Sequence, residues 1–466
     1  MTHPGFSTDQ PLRVAIIGAG PAGFYTAEHL LKKKAIPVTV DMFDRLPTPF
    51  GLVRAGVAPD HQKIKNVTKV FDRTAQHPNF RYFGNVELGK HLSVDDLRRH
   101  YHQIVYTIGT SSARKLGIPG EDLDGSHSAT EFVGWVNGHP DYRTLQFDLT
   151  QERAAIIGVG NVAMDVARML AKTRAELAVT DIADHALDAL SHSRVKEIYI
   201  LGRRGAAQAA FTIPELKEMG HLAAASPVVS PQDLVLDEFS REMADLDGQT
   251  RRKLEMLKTF SEMSPDGSKP KKIIFRFLVS PVELLTDGTG AVKALRIVKN
   301  KLVDTGNGVL RPQPTGEFED LPVGLVFRSI GYRGVPLPGV PFHQRWGIIP
   351  NEDGRVLNPE TGQPHIGEYT AGWIKRGPSG IVGTNKPDAA ETVRSMLADV
   401  ENGNYLSPDA PDMAAIERLV AERQPQFFSY ADWQKLDALE TERGQAQGRP
   451  WVKFTSIEEM LAAVGK

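Results

Sequence analysis

The sequence predicts an α/β fold built on two βαβ units, and three observations carry that prediction. Two glycine fingerprints occur, Gly18-Ala-Gly20-Pro-Ala-Gly23 and Gly158-Val-Gly160-Asn-Val-Ala163. Each follows a short apolar run, Val14-Ala-Ile-Ile17 or Ala154-Ala-Ile-Ile157, and precedes a helix-compatible stretch. The strand that returns after each helix ends differently, on Asp44 in the first unit and on Arg203-Arg204 in the second. Strand, glycine turn and helix in that order are what a dinucleotide site requires, so both units read as dinucleotide-binding and Rossmann-like. One such turn is a weak signal. Two in one chain suggest two nucleotides held together, with electrons passing between them.

The first unit reads as a strand over 13–18, a helix from about 21 to 33 and a strand over 38–44. Along this last strand Val38, Val40 and Met42 alternate with Thr39, Asp41 and Phe43. Lys32-Lys33-Lys34 falls at the helix C-terminus, where cations complement the dipole. A loop rich in proline and glycine (46–53) leads to a helix over Ile64–Thr74, a strand over Arg81–Val86, a helix over Asp95–His100 and a strand over Gln103–Ile108. The second unit starts within 148–158, with a helix over Val162–Lys172, a long crossover containing an added helix, and a strand over Val195–Leu201. Residues 231–263 read as amphipathic helix. Ile273–Val279, Val292–Val298 and Leu325–Ile330 read as strands of a returning sheet, and 331–338 as a linker. A strand near Tyr369, a glycine-rich turn (377–384), a helix from about Lys386 and a mostly helical C-terminus complete the chain.

Composition narrows the function. A formal charge of −2 over 466 residues argues against a nucleic-acid binder. No apolar run approaches the ~20 residues of a membrane span, and the first ten residues lack the charged and apolar segments of a secretory signal, so a cytoplasmic protein is expected. The chain has no cysteine. That excludes an internal thiol relay and a protein-ligated iron–sulfur cluster, so electrons must leave the nucleotides for a partner or a small substrate.

Each fingerprint residue has a physical task. Gly18 permits the tight turn, Gly20 lets the backbone approach a pyrophosphate, and Gly23 lets helix and strand pack closely. Asp44 lies ~20 residues further on, where an acid receives a ribose hydroxyl and repels a 2′-phosphate, so FAD or NAD fits and NADP does not. In the second unit Arg203 and Arg204 replace that acid; guanidinium groups pair with phosphate oxygens, which points to NADPH. Asp165 lies in the first turns of the following helix, where complementing the helix dipole is the simpler reading. His61, in a polar loop, reads as a surface residue, and Trp373 as a core residue. The 377–384 turn ahead of a helix offers a further anion site. Arg251-Arg252-Lys253 with Lys258 makes a basic stripe, either a solvated helix face or a steering patch for an acidic protein.

Taken together, Gly18–Gly23, Pro47-Thr-Pro-Phe-Gly-Leu-Val-Arg54, Gly56-Val-Ala-Pro-Asp-His61, the run from Gly158 to Arg168, Gly202-Arg203-Arg204, Ala210-Phe-Thr-Ile-Pro-Glu215 and Gly372–Gly380 resemble the adrenodoxin-reductase type of ferredoxin–NADP(+) reductase over almost the whole chain. The resemblance implies a discontinuous FAD domain (1–111 and 331–466) with an NADPH domain (112–330) inserted. It assigns Ala22, Asp44, Leu52 and Val86 to the FAD pocket, with Trp373 and Gly380, Ile381 and Val382 near the isoalloxazine. NADPH would meet Val159, Gly160, Asn161, Val162, Arg203, Arg204, Glu215 and Arg114. His61 and Asp165 match a pair tied to partner docking and to electron or proton transfer, and Arg251 and Arg252 fall near the region that docks ferredoxin. Asp44 departs slightly, since the family more often has Glu there. The implied activity is an FAD-dependent NADPH:ferredoxin oxidoreductase, delivering single electrons to an iron–sulfur ferredoxin. The competing readings are an FAD/NADPH-dependent monooxygenase and a slow-turnover nucleotide-sensing interaction module.

Overall fold

In the computed structural model of the chain, residues 5–33, 35–263, 267–306 and 309–466 are described; Lys34 of the basic run and residues 1–4 of the signal reading lie outside them. The chain divides into two compact units. One comprises Met1–Val57, His61–Ser112 and Tyr332–Lys466, the other Ala58–Asp60 and Ala113–Gly331.

The first unit is built on a seven-stranded sheet in the spatial order Asn351–Glu352, Arg355–Leu357, Pro364–Thr370, Gln103–Tyr106, Leu12–Ile17, Val38–Phe43, Phe80–Phe83. The last five strands are parallel, with Ile17 between Phe43 and Tyr106, and the first two turn back antiparallel. Helices Pro21–Leu31 and Asn385–Glu401 pack together over one face. There Phe24 stacks on Phe71 with centroids 5.0 Å apart, and Trp433, Leu436 and Met460 of the C-terminal helices join the same core.

Sequence periodicity misleads at Val38–Phe43. All six residues are buried, because the parallel sheet is covered on both faces. Asp41 is satisfied inside by Arg13 at 2.8 Å, Arg81 at 2.7 Å and the Tyr101 hydroxyl at 2.7 Å. The helix expected over Ile64–Thr74 is two, Gln62–Lys65 and Thr68–Ala75. The Thr68 hydroxyl donates to the Lys65 carbonyl at 3.0 Å, the side-chain competition that breaks helices. The strand expected to reach Val86 ends at Phe83, and Asn85 turns the chain with φ of 60°.

The second unit holds six parallel strands in the order Ser126–Ser128, Leu325–Arg328, Arg153–Ile157, Glu197–Leu201, Lys271–Arg276, Ala225–Val229. Helix Ala129–Val136, which the sequence reading passed over, packs on helix Asn161–Ala171; its start is a Ser128–Glu131 capping box. The crossover carries two helices, Arg174–Leu177 and Asp184–Ser191, where one was expected. The 231–263 stretch breaks at Asp247, whose carboxylate caps Gly248–Glu262 after Glu238–Leu246 has ended.

The expected returning sheet is in fact two. Lys271–Arg276 and Leu325–Arg328 join the parallel sheet, while Val279–Thr286, Val292–Asp304 and Leu310–Pro322 form a separate antiparallel one. Leu278, at φ of 54°, makes the turn between them. Leu310–Pro322 contains Pro312, Pro314 and Gly316, which an edge strand tolerates because one side of it has no ladder to feed. Among the described residues no helix is long and apolar enough to cross a membrane.

Candidate functional site

In the first unit the outer glycines of the fingerprint are dictated by packing. A Cβ on Gly18 (φ 108°) would sit 2.7 Å from the Thr107 carbonyl oxygen, and one on Gly23 would sit 2.2 Å from the Gly18 oxygen. A Cβ on Gly20 would meet nothing within 4 Å. The fold therefore does not require glycine there, and the backbone is left open on that side. Helix Pro21–Leu31 starts at this point with no side-chain cap and no acid in its first turn, which leaves its positive end for an anion.

Asp44, and through it Val86, lies against this turn. Asp44 accepts the Ala19 N–H at 2.7 Å and the Leu46 N–H at 2.9 Å, so its carboxylate braces the turn as well as facing it. Burial pushes its pKa up, against the pull of those two bonds. Each oxygen keeps a second acceptor site for a ribose hydroxyl. The proline-rich loop lies against the fingerprint: the Phe50 N–H donates to the Ala19 carbonyl at 2.8 Å, and a Cβ on Gly51 would come 3.0 Å from Gly20 Cα. Leu52 follows directly as the first residue of a short helix. The buried Val86 donates its N–H to the Asp44 carbonyl at 2.8 Å. Gly372 abuts Ala22, and its N–H is held by Asp388 at 2.5 Å.

Trp373 comes next and is half-buried, which corrects the core reading. Its ring leans on Tyr332 and its indole N–H donates to the Ser379 carbonyl at 3.1 Å. The glycine-rich turn enters helix Asn385–Glu401 through a short 3-10 turn, with Gly380 at φ of 79°, Ile381 exposed and Val382 packed on the core.

The second unit repeats the arrangement. A Cβ on Gly158 would collide with the Ser329 carbonyl at 2.1 Å, whereas Gly160 opens on free space. Helix Asn161–Ala171 likewise starts with no side-chain cap and no acid in its first turn. Val159 accepts the N–H groups of Ala210 and Phe211 at 2.9 and 3.0 Å, and Asn161 Oδ1 accepts the Thr212 N–H at 2.9 Å. Those bonds fix the segment leading into helix Ile213–Met219, which carries Glu215 in its first turn. Val162 is half-buried at the helix start. Arg203 and Arg204 follow strand Glu197–Leu201 after Gly202, which abuts Val159; both are exposed, and neither is in an ion pair among the described residues. Arg114 is exposed, with its N–H on the Gly331 carbonyl at 3.1 Å, two residues past the Ser329 that abuts Gly158.

Asp165 sits beyond the first turn, so the dipole reading does not hold. It is buried and bound to Arg168 at 2.6 Å. Arg168 is the residue whose role the sequence reading missed. Fully buried, it also binds Glu215 at 2.5 Å, Asp60 at 2.9 Å and Glu218 at 3.3 Å, and Lys172 adds a second cation to Asp60 at 2.7 Å. The i,i+3 spacing of Asp165 and Arg168 was the available signal. The buried acids hold its pKa well above the ordinary arginine range, against desolvation. His61 belongs to the other unit, half-buried as the N-cap of Gln62–Lys65.

Of the basic stripe, Arg251, Arg252 and Lys258 are exposed and Lys253 is half-buried. Lys253 reaches back to the Ala209 carbonyl at 2.6 Å, Arg251 donates to the Asp245 carbonyl at 2.8 Å, and Lys258 lies 3.8 Å from Glu262. Arg252 remains exposed and outside any ion pair among the described residues.

Comparison with known proteins adds to this geometry. Residues 12–200 match the family model described as pyridine nucleotide-disulphide oxidoreductase. The match covers both glycine fingerprints, in a chain that has no cysteine. The chain is 46% identical over 97% of its length to a probable ferredoxin/ferredoxin–NADP reductase of Mycobacterium bovis, 76% of which it covers. It is 42% identical over 98% of its length to the mitochondrial NADPH:adrenodoxin oxidoreductase of Salvelinus fontinalis, covering 92% of that protein. The solved structure of Mycobacterium tuberculosis FprA in complex with NADPH superimposes with a TM-score of 0.91 at 42% identity, covering 97% of this chain and 99% of that one.

Proposed function

The chain belongs to the NADPH-dependent ferredoxin reductases of the adrenodoxin-reductase type, and from that premise we propose how its residues divide the work of moving electrons from NADPH through FAD to an iron–sulfur ferredoxin. The observation that carries the reading is the contrast between the two units. Both open an uncapped helix start over a middle glycine that faces free space. One then presents the carboxylate of Asp44, the other the exposed guanidinium groups of Arg203 and Arg204, in no ion pair among the described residues. An acid at the strand end rejects a 2′-phosphate and arginines receive one, so the first unit is the FAD unit and the second the NADPH unit.

Bound flavin supplies the step that the side chains cannot, converting a two-electron hydride donor into a source of single electrons. The protein's part is binding, orientation and exclusion of water. Gly20 and the start of Pro21–Leu31 hold the FAD pyrophosphate, and Asp44 its ribose. Leu52, Val86, Trp373 and the Gly380–Val382 turn wall the rings. Val159–Val162 hold the NADPH pyrophosphate, Arg203 and Arg204 its 2′-phosphate, and Arg114 and Glu215 add contacts. His61 and Asp165 take the transfer and docking roles that the resemblance gives them. Arg252, together with Arg251, is assigned to ferredoxin docking on the strength of the exposure of both side chains. A cytoplasmic site of action suits a donor drawn from the NADPH pool.

Cytochrome c reduction by the FAD-loaded protein, with and without added ferredoxin, tests the reading. Strong stimulation by ferredoxin with NADPH as donor is expected. Equal rates with and without every ferredoxin tried would refute it.

A further inference from the structure

Each carbonyl of the Gly202-Arg203-Arg204 turn is anchored. The Val279 N–H donates to the Gly202 carbonyl at 3.0 Å, the Asn300 side-chain amide to the Arg203 carbonyl at 2.9 Å, and the Leu278 N–H to the Arg204 carbonyl at 3.1 Å. Only the middle anchor is a side chain. Asn300 is buried on the long strand Val292–Asp304; its amide also reaches the Ser280 hydroxyl at 2.8 Å, and its own N–H donates to the Leu278 carbonyl at 2.7 Å. The strand register slips between Val298 and Asn300, the kind of irregularity that re-aims a side chain. Leu278 holds a left-handed φ of 54°, a conformation costly for leucine that needs its surroundings to enforce it. A strained backbone, a register slip and a buried amide therefore meet on one turn, whose two side chains are exposed guanidinium groups.

We propose that Asn300 is a positioning residue that sets the preference for a 2′-phosphorylated nicotinamide cofactor, by fixing the peptide that aims Arg203 and Arg204. The inference rests on the reading of those arginines as the 2′-phosphate clamp. Guanidinium–phosphate pairing is directional, because the planar fork must meet two oxygens at once. Losing the Asn300 bond frees the Arg203 carbonyl, lets the 203–204 peptide rotate, and swings both forks off the phosphate. A cofactor without that phosphate draws nothing from the clamp and feels little of the change.

Calorimetry with 2′,5′-ADP and 5′-AMP on the FAD-loaded protein, beside steady-state kinetics, decides the matter. Asn300→Ala is expected to raise the Kd for 2′,5′-ADP by about five- to tenfold, the equivalent of one lost hydrogen bond, and to move the Kd for 5′-AMP by less than about twofold. The ratio of kcat/KM for NADPH over that for NADH should fall by the same factor as 2′,5′-ADP affinity. Asn300→Gln, which restores an amide on a longer arm, should recover part of the loss. Ser280→Ala, which removes only the other partner, should leave the ratio near that of the parent protein. If the alanine variant does not fold, Asn300→Leu keeps much of the volume, loses the same donor without adding charge, and carries the same expectations. Arg203→Ala with Arg204→Ala tests the clamp separately, and unchanged 2′,5′-ADP binding there would refute the clamp itself. With the clamp intact by that measure, unchanged 2′,5′-ADP affinity in a folded Asn300 variant, or an equal loss for 5′-AMP, overturns the role of Asn300.

Discussion

Arg168→Met removes the cation at the centre of the buried cluster in the second unit. The guanidinium is 0% exposed and touches Asp165, Glu215, Asp60 and Glu218 at 2.6, 2.5, 2.9 and 3.3 Å. Lys172 is ion-paired with Asp60. Methionine is flexible and can fill much of the space, so the loss is chiefly electrostatic. Breaking a buried pair from one side costs about 3–5 kcal/mol, because the orphaned charges stay buried. Each kcal/mol shifts Tm by about 2–4 °C in a unit of this size, so the melting of the second unit should fall by roughly 6–20 °C. The pH dependence has a definite sign. Crowded carboxylates without their cation have raised pKa values in the folded variant, so protonation relieves them. The deficit relative to the parent protein should shrink as pH is lowered from about 7 to about 5. Scanning calorimetry across that range measures both. A loss below about 1 kcal/mol, or a deficit that does not change with pH, would refute the claim that Arg168 neutralises this cluster.

Three further outcomes follow from other parts of the structure. Gly23→Ala forces a Cβ to within 2.2 Å of the Gly18 oxygen and should yield a destabilised protein without flavin, whereas Gly20→Ala meets open space and should fold normally yet bind FAD at least about tenfold more weakly; fluorescence titration with FAD and thermal melting separate the two. His102 accepts the Arg13 N–H at 3.0 Å, and burial next to the Arg13 guanidinium lowers its pKa to about 4. The unfolded chain binds the proton from about pH 6.5, so this neutral histidine contributes stability above that pH which is lost as pH falls toward about 4, by up to about 3 kcal/mol. Urea unfolding should show that slope in the parent protein and a flatter one in His102→Gln; equal slopes would remove His102 as the cause. Reversing Arg251 and Arg252 to Glu should raise the KM for ferredoxin at low salt and lose its effect at high salt, where charges beyond a Debye length are screened; unaltered ferredoxin kinetics at low salt would return both arginines to an ordinary solvated face.

What could be read from the sequence was whatever depends on neighbours a few residues away. The fingerprint glycines and the contrast between Asp44 and the Arg203–Arg204 pair are local, and each can be read from the chain within its own βαβ unit. The family resemblance extended that reading to Leu52, Val86 and Trp373, residues that no spacing rule would have joined. Long-range polar chemistry stayed hidden. Asp41 looked like the wet side of an alternating strand because nothing local shows that Arg13, Arg81 and Tyr101 close over it. Asp165 looked like a dipole partner because the burial of Arg168 among four acids depends on tertiary packing. The basic stripe was legible as a run of charge, but nothing local shows that Lys253 and Arg251 donate to the Ala209 and Asp245 carbonyls. Leu310–Pro322 escaped notice because its prolines and glycine argue against a strand, and only its edge position permits one.

Electron paramagnetic resonance on an anaerobic mixture of NADPH, oxidised ferredoxin and a catalytic amount of the FAD-loaded protein reads the destination of the electrons directly. The expected result is a reduced-cluster signal that grows with NADPH, requires the protein, and is far weaker with NADH. Consumption of NADPH while the ferredoxin cluster stays oxidised would contradict the flow from NADPH through flavin to an iron–sulfur partner.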